Sequence, residues 1–243
     1  MCSTAALQRP NKLSAVFLDV GDTLLSEHPP RFAIYAEEAA RFGVPVDPET
    51  MGELMRSAHV ELPRVLDGAF RYSDPWFEAF IERIFCGELD LPEERLPELT
   101  QELFHRFEDP ATFRLYPGAR ELLERLRGRG ITVGIISNWS ARLPRVLEAM
   151  ELSSRVDFVL CSALEGAEKP EAVLFQRALE RAGAPPEETV HAGDHPQKDV
   201  RAARECGIQP VLVDHRDRHP DSPDTLRVRN LSELADYLAP VRA

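Results

Sequence analysis

The residue most able to do chemistry in this chain is an aspartate set at the end of an apolar run. In Val16-Phe17-Leu18-Asp19-Val20-Gly21-Asp22-Thr23-Leu24-Leu25 the β-forming residues before Asp19 predict a buried strand, and Gly21 predicts a turn that brings the backbone close to a ligand. A carboxylate there is expensive to bury without a partner or a task. Three later stretches supply partners: Ser137-Asn138 after the apolar run 131–136, Lys169 in Glu168-Lys169-Pro170, and the acids Asp194 and Asp199 in Gly193-Asp194-His195-Pro196-Gln197-Lys198-Asp199. Three carboxylates sharing one cleft repel one another unless a cation intervenes. A hard divalent ion such as Mg²⁺ suits one or two carboxylates plus a phosphate oxygen. A lysine and a hydroxyl beside it would hold an anion, and a carboxylate can attack phosphorus to form an aspartyl-phosphate. Each residue alone has a plainer reading: Asp19 as a turn residue, Ser137 as a strand-end cap, Lys169 as a solvated lysine, Asp194 as a helix cap, Asp199 as an acid at a helix start.

The elements that must position these residues alternate. Ala119, Leu122, Leu123 and Leu126 mark a helix ended by Gly130, and 131–136 is a strand. A helix to about Met150 and a short strand Phe158–Cys161 follow, then a helix from about Glu171 stopped at Gly183 and a strand Thr189–Ala192. A helix from about Asp199, a strand Val211–Val213, a polar loop 214–224, a short strand Leu226–Val228 and a helix capped by Ser232 complete the chain. Strands alternating with helices of this length predict a parallel sheet with helices on both faces, whose converging carboxyl ends form one cleft. Between Pro29-Pro30 and about residue 112 the texture changes to helical repeats without a convincing strand, around Phe32 to Phe42, Met51 to Leu62, Phe77 to Phe85 and Leu96 to Phe107. The expected fold is therefore α/β, a Rossmann-like parallel core formed by residues 1–28 and 113–243, interrupted by an all-helical cap domain at 29–112. In that cap, Tyr72 and Trp76 belong either to a loop closing over the site or, the preferred reading, to the packing of the bundle; Arg31 and Arg64 are weaker site candidates.

The chain has 243 residues and a formal net charge of −12, which argues against nucleic acid or an anionic membrane as the main partner. Cys2, Cys86, Cys161 and Cys206 are scattered and form no C-x-x-C pair, as expected of reduced thiols. Residues 1–12 lack the apolar stretch of a secretory signal, and no run has the length of a membrane span, so a soluble, cytoplasmic protein is expected. Monomer and homodimer are both left open.

Taken together, Asp19-Val20-Gly21-Asp22-Thr23-Leu24, Ile136-Ser137-Asn138, Lys169-Pro170 and Gly193-Asp194 with Asp199 resemble, in order and spacing, the four motifs of the haloacid dehalogenase-like hydrolase superfamily, and the helical insertion resembles its type 1 cap. The resemblance implies a Mg²⁺-dependent phosphatase of small phosphorylated metabolites. It makes Asp19 the nucleophile and a metal ligand, with the Gly21 carbonyl and Asp194 as further ligands. Ser137 and Lys169 would hold the phosphoryl group, with Asn138 and Asp22 as further phosphate-binding candidates. Asp199 would join the metal set by orienting its water, or would orient Lys169. One position departs from the family pattern: its phosphatases carry an aspartate two residues after the nucleophile as general acid and base, and Gly21 stands there. A slow or selective phosphatase is the favoured reading, with Asp22 mainly shaping the turn. The alternatives are a protein that binds a phosphorylated ligand at a vestigial site, and a metal-independent 2-haloacid dehalogenase. His191 and His195 read as structural or supporting residues.

Overall fold

The computed structural model describes residues 10–220 and 225–240. The readings made of Cys2, of residues 1–9 and of residues 221–224 lie outside them. In chain order the elements begin with β1 (Ala15–Leu18), β2 (Leu25–Glu27), α1 (Arg31–Arg41), α2 (Pro48–Glu61), β3 (Val65–Leu66), β4 (Ala69–Phe70), α3 (Asp74–Phe85) and α4 (Leu96–Arg106). Then come β5 (Phe113–Leu115), α5 (Ala119–Arg127), β6 (Thr132–Ser137), α6 (Leu143–Ala149), β7 (Phe158–Cys161), α7 (Ser162–Glu165) and α8 (Ala172–Ala182). The chain closes with β8 (Thr189–Gly193), α9 (Ala202–Glu205), β9 (Gln209–Val213), β10 (Leu226–Val228) and α10 (Leu231–Leu238).

Six strands form one parallel sheet in the order β10-β9-β8-β1-β6-β7. β1 is apolar throughout because both of its faces are covered, and its period-2 alternation divides it between two cores. Val16 and Leu18 pack on the side of α5, α6 and α10, among Leu122, Val146 and Leu234. Ala15 and Phe17 pack on the opposite side, against Leu174 and Phe175 of α8 and Ala202 and Ala203 of α9. The register sets Leu18 beside Ile135 and Ala192, so the chain beyond β1 runs level with the ends of β6 and β8. The connections reverse direction at β1, with β6 and β7 on one side and β8 to β10 on the other; this is where open α/β sheets form their ligand crevice.

Helices α1 to α4 build a second apolar cluster of their own, centred on Tyr35, Met51, Trp76, Ile81, Phe85 and Leu99. Trp76 is fully buried, stacks on Phe80 at 5.5 Å and donates its indole N–H to the Pro63 carbonyl at 2.8 Å, so it packs the bundle. The Asp47-Pro48 start of α2 follows capping rules, the Asp47 carboxylate accepting from the backbone N–H groups of Glu49 and Thr50 at 3.0 Å each.

Four local expectations are corrected. The helical segment contains a hairpin, β3 with β4, turned by Asp67 (φ 49°) and Gly68 (φ 83°). Two central residues with positive φ are what an Asp-Gly hairpin turn demands. The chain enters and leaves the helical segment through the antiparallel pair β2 and β5, three residues each and too short and mixed to show periodicity. The helix expected from Asp199 begins earlier, as a wide turn Pro196–Arg201 of π type that His195 caps. The last helix is capped by Asn230, whose side-chain oxygen accepts from the Glu233 N–H at 2.9 Å, and not by Ser232. Cys86, Cys161 and Cys206 are free thiols. Among the described residues no helix is long and apolar enough to cross a membrane.

Candidate active site

Strand ends deliver the site. Asp19 follows β1, Ser137 ends β6 and Asp194 follows β8, while Lys169 arrives on the loop between α7 and α8. All four line one cleft of about 490 Å³, together with Gly21, Asp22, Asn138 and Asp199. Asp19 Oδ1 accepts hydrogen bonds from Lys169 Nζ at 2.7 Å and Ser137 Oγ at 3.0 Å, and Asp19 Oδ2 lies 3.3 Å from the Thr23 hydroxyl. The Lys169 ammonium also donates to Asp199 Oδ1 at 2.5 Å. Burial alone would lower the Lys169 pKa, but the carboxylates of Asp19 and Asp199 outweigh it and hold the pKa above the ordinary lysine value.

Asp199 is buried and fully engaged. Its Oδ1 receives Lys169 and the His191 ring nitrogen Nε2, the latter at 2.8 Å, and its Oδ2 accepts the His195 backbone N–H at 3.0 Å. Burial acts to raise its pKa, yet the Lys169 charge and the His191 hydrogen bond keep it well below the usual carboxylate range. Gly193 makes this approach possible: a Cβ there would lie 2.3 Å from Asp199 Cγ.

Asp194 is the contrasting acid. Among the described residues no donor bonds its carboxylate, and burial, with the charges of Asp19 and Asp199 beside it, pushes its pKa up to about 8. One carboxylate oxygen from each of Asp19, Asp194 and Asp199 lies within 4.8 Å of the others, an arrangement able to hold a metal ion. An acid without a donor, within reach of the Asp19 carboxylate, fits a hard divalent cation. The donors already on Asp199 leave Asp19, Asp194 and the adjoining Gly21 backbone as the better part of that set.

Two predicted phosphate contacts are committed elsewhere. The Asn138 amide is tied to the backbone of Lys169, with Nδ2 donating to the Lys169 carbonyl at 2.9 Å and Oδ1 accepting its N–H at 2.7 Å. It therefore latches the loop that carries the lysine. Asp22 takes a left-handed conformation (φ 53°), accepts from the Tyr116 hydroxyl at 3.1 Å and pairs with Arg216 at 3.0 Å. That carboxylate anchors the loop after β9 to the rim of the cleft.

Other residues of the cleft carry no periodic signature in the sequence. Arg216 and Arg218 come from the polar loop and line the same cleft, and Arg31 reaches it from the helical segment paired with Glu27. Trp139 fills the space beside Gly21, its ring carbon Cζ3 lying 3.5 Å from where a Cβ would stand. Beyond Trp139 a small pocket of about 50 Å³ opens between the two apolar bodies, walled by Tyr35, Tyr72, Phe104 and Phe107. Arg64 pairs instead with Glu168 and Glu171, at 3.1 and 2.7 Å.

Comparison with known proteins agrees with this geometry. A family model described as haloacid dehalogenase-like hydrolase matches residues 13–207. A phosphoserine phosphatase of Thermus thermophilus is 32% identical over 244 residues, covering 91% of this chain and 98% of that protein. Haloacid dehalogenase-like hydrolase domain-containing protein 3 of Danio rerio is 29% identical, covering 90% and 93% of the two chains. Among solved structures, a HAD phosphatase from Thermococcus onnurineus superposes with a TM-score of 0.69 at 25% identity, over 95% of this chain and 100% of that one. A match over most of the chain, running through the strand-end acids and the lysine just described, makes this protein a member of the haloacid dehalogenase-like hydrolases.

Proposed function

We propose that the chain is a Mg²⁺-dependent phosphatase of small phosphorylated metabolites that works through an aspartyl-phosphate on Asp19. The observation that carries the reading is the arrangement at Asp19: Lys169 and Ser137 hold one carboxylate oxygen and Thr23 the other, in a cleft that also contains the donor-free Asp194. A phosphatase of Thermus thermophilus with phosphoserine in its name, and a ribulose-1,5-bisphosphate 5-phosphatase of Halopiger xanaduensis 36% identical over 101 residues, support the class.

In this reading one carboxylate oxygen of Asp19 attacks phosphorus. The new O–P bond forms as the bond to the leaving oxygen breaks, and that oxygen takes up a proton. Lys169 and Ser137 donate to the phosphoryl oxygens as charge develops on them. Asp199 holds Lys169 aimed at both the nucleophile and the phosphoryl group. Water then attacks the aspartyl-phosphate at phosphorus, releasing inorganic phosphate and restoring Asp19. A bound Mg²⁺ would be held by Asp19, Asp194 and the Gly21 carbonyl, and would supply charge for the transferring phosphoryl group. No carboxylic acid stands at Gly21 to protonate the leaving oxygen, which favours substrates with good leaving groups.

The dehalogenase reading leaves Asp194 without a purpose, because a neutral alkyl halide needs no cation between crowded acids. A vestigial site would use Lys169 to hold its phosphorylated ligand just as a phosphatase does, and turnover is what distinguishes the two. Phosphate release from p-nitrophenyl phosphate and acetyl phosphate, with and without Mg²⁺, separates the phosphatase from the other two. Mg²⁺-dependent release that Asp19→Asn abolishes is expected. Release unaffected by the substitution, or absent from both substrates, overturns the proposal.

A further inference from the structure

We propose that His191 is a positioning residue, whose Nε2–H fixes the Asp199 carboxylate, and through it the Lys169 ammonium, against Asp19. His191 sits in the middle of β8, turned into the layer beneath the cleft and away from solvent. Its ring meets the Phe175 ring edge-on at 5.1 Å. Its Nε2 is 2.8 Å from Asp199 Oδ1, while its Nδ1 is buried with no hydrogen-bond partner. A carboxylate can only accept, so the proton lies on Nε2.

The orphaned Nδ1 shows that apolar packing is not what suits histidine to this site. A leucine or phenylalanine would fill the space against Phe175 without leaving a polar atom stranded. What the imidazole adds is one directed donor. With it, Asp199 receives three: His191 and Lys169 on Oδ1 and the His195 N–H on Oδ2. The carboxylate then cannot rotate, and Lys169 is held between two fixed oxygens, Asp199 Oδ1 at 2.5 Å and Asp19 Oδ1 at 2.7 Å. A lysine has three protons to give. With two directed at carboxylates, the third has one direction left, into the cleft. His191 touches no substrate, and its effect reaches the reaction through two hydrogen bonds.

The kinetic arm of the test rests on the phosphatase proposed above; the spectroscopic arm does not. Glutamine places an amide N–H near where the imidazole Nε2–H lies, whereas leucine keeps bulk and loses the donor. His191→Leu is expected to lower kcat on acetyl phosphate about tenfold or more with a smaller change in KM. His191→Gln is expected to recover most of that loss even if both variants melt lower than the wild type. Independently, ¹H–¹⁵N spectra of the imidazole should show a proton on Nε2, with a shift that moves in Asp199→Asn. Equal kcat in the leucine and glutamine variants, or a ring with no proton on Nε2, overturns the inference. Should the wild type release no phosphate, the phosphatase reading fails and the nitrogen spectrum alone decides for or against His191.

Discussion

Gly21 is the residue on which the rate should depend most visibly, because its missing side chain is the missing acid. Its backbone does not require glycine: the left-handed turn falls on Asp22, and Gly21 is not among the residues with positive φ. A Cβ at position 21 would make an ordinary contact with Trp139 at 3.5 Å. Gly21→Asp should therefore fold and present a carboxyl group beside the leaving oxygen. A positioned acid contributes about 10²–10⁴-fold to rate. Turnover of alkyl phosphates, whose leaving oxygens need a proton, should rise at least tenfold, while acetyl phosphate, which leaves readily, should change little. Phosphate release from the two substrate types checks this. An equal effect on both would mean that protonation does not limit the native protein. The same comparison bears on Asp22, which cannot act as the acid while Tyr116 and Arg216 hold its carboxylate at the rim.

At the scale of elements, the contact to test is the one between the end of β8 and the wide turn after it. Gly193 lies against Asp199 so closely that a Cβ would stand 2.3 Å from Cγ and 2.6 Å from Oδ2. Asp199 cannot yield, since three donors hold it. Gly193→Ala should cost about 1–3 kcal/mol, the usual range for an overpacked core, and should also suppress turnover by displacing the carboxylate that aims Lys169. Urea unfolding and phosphate release measure the two effects, and native stability with full activity would show that the turn can shift. This is also where the reach of the sequence can be judged. The convergence of Asp19, Ser137 and Asp194 on one cleft is legible because parallel strands put their carboxyl ends on one edge, and each of these three ends carries a polar residue after an apolar run, whereas Lys169 comes on a loop between two helices. The π-type turn is not legible, because Pro196 to Asp199 reads equally well as an ordinary helix start. The β3–β4 hairpin was within reach: Asp67-Gly68 between Val65-Leu66 and Ala69-Phe70 is a strong turn signal, overridden by the helical periodicity around it. The β2–β5 pair has no local signature at all; it exists because the chain must return beside the point where it left the sheet. Arg216, Arg218 and Trp139 reach the cleft through tertiary packing, which no spacing rule records.

For the molecule as a whole, two apolar bodies are joined by charged contacts. Arg64 and Arg71 of the helical segment meet Glu168, and Arg142 of the core grips Asp74 and Glu108 while its guanidinium lies 3.9 Å over the Phe104 ring. Glu168 precedes Lys169 in the chain, so the clamp between the bodies ends next to the site. Stability should accordingly report on the site's charge. Without a cation, folding holds a proton on Asp194 up to a pKa of about 8, far above the ordinary 3.8. Between those values the folded chain keeps a proton that the unfolded chain has released, so raising the pH through this window removes stability. A divalent cation held by the proposed site would bind the deprotonated form and oppose that loss, with a stabilisation that grows with its concentration relative to Kd. Melting temperatures in chelator should fall from pH 5 to pH 8 in the wild type and fall less in Asp194→Asn. Mg²⁺ should raise the wild-type melting temperature more at pH 8 than at pH 5, and should leave Asp194→Asn almost unmoved. An equal response to Mg²⁺ in both proteins would remove Asp194 from the cation site, and an equal pH slope in chelator would mean that its proton is not linked to folding.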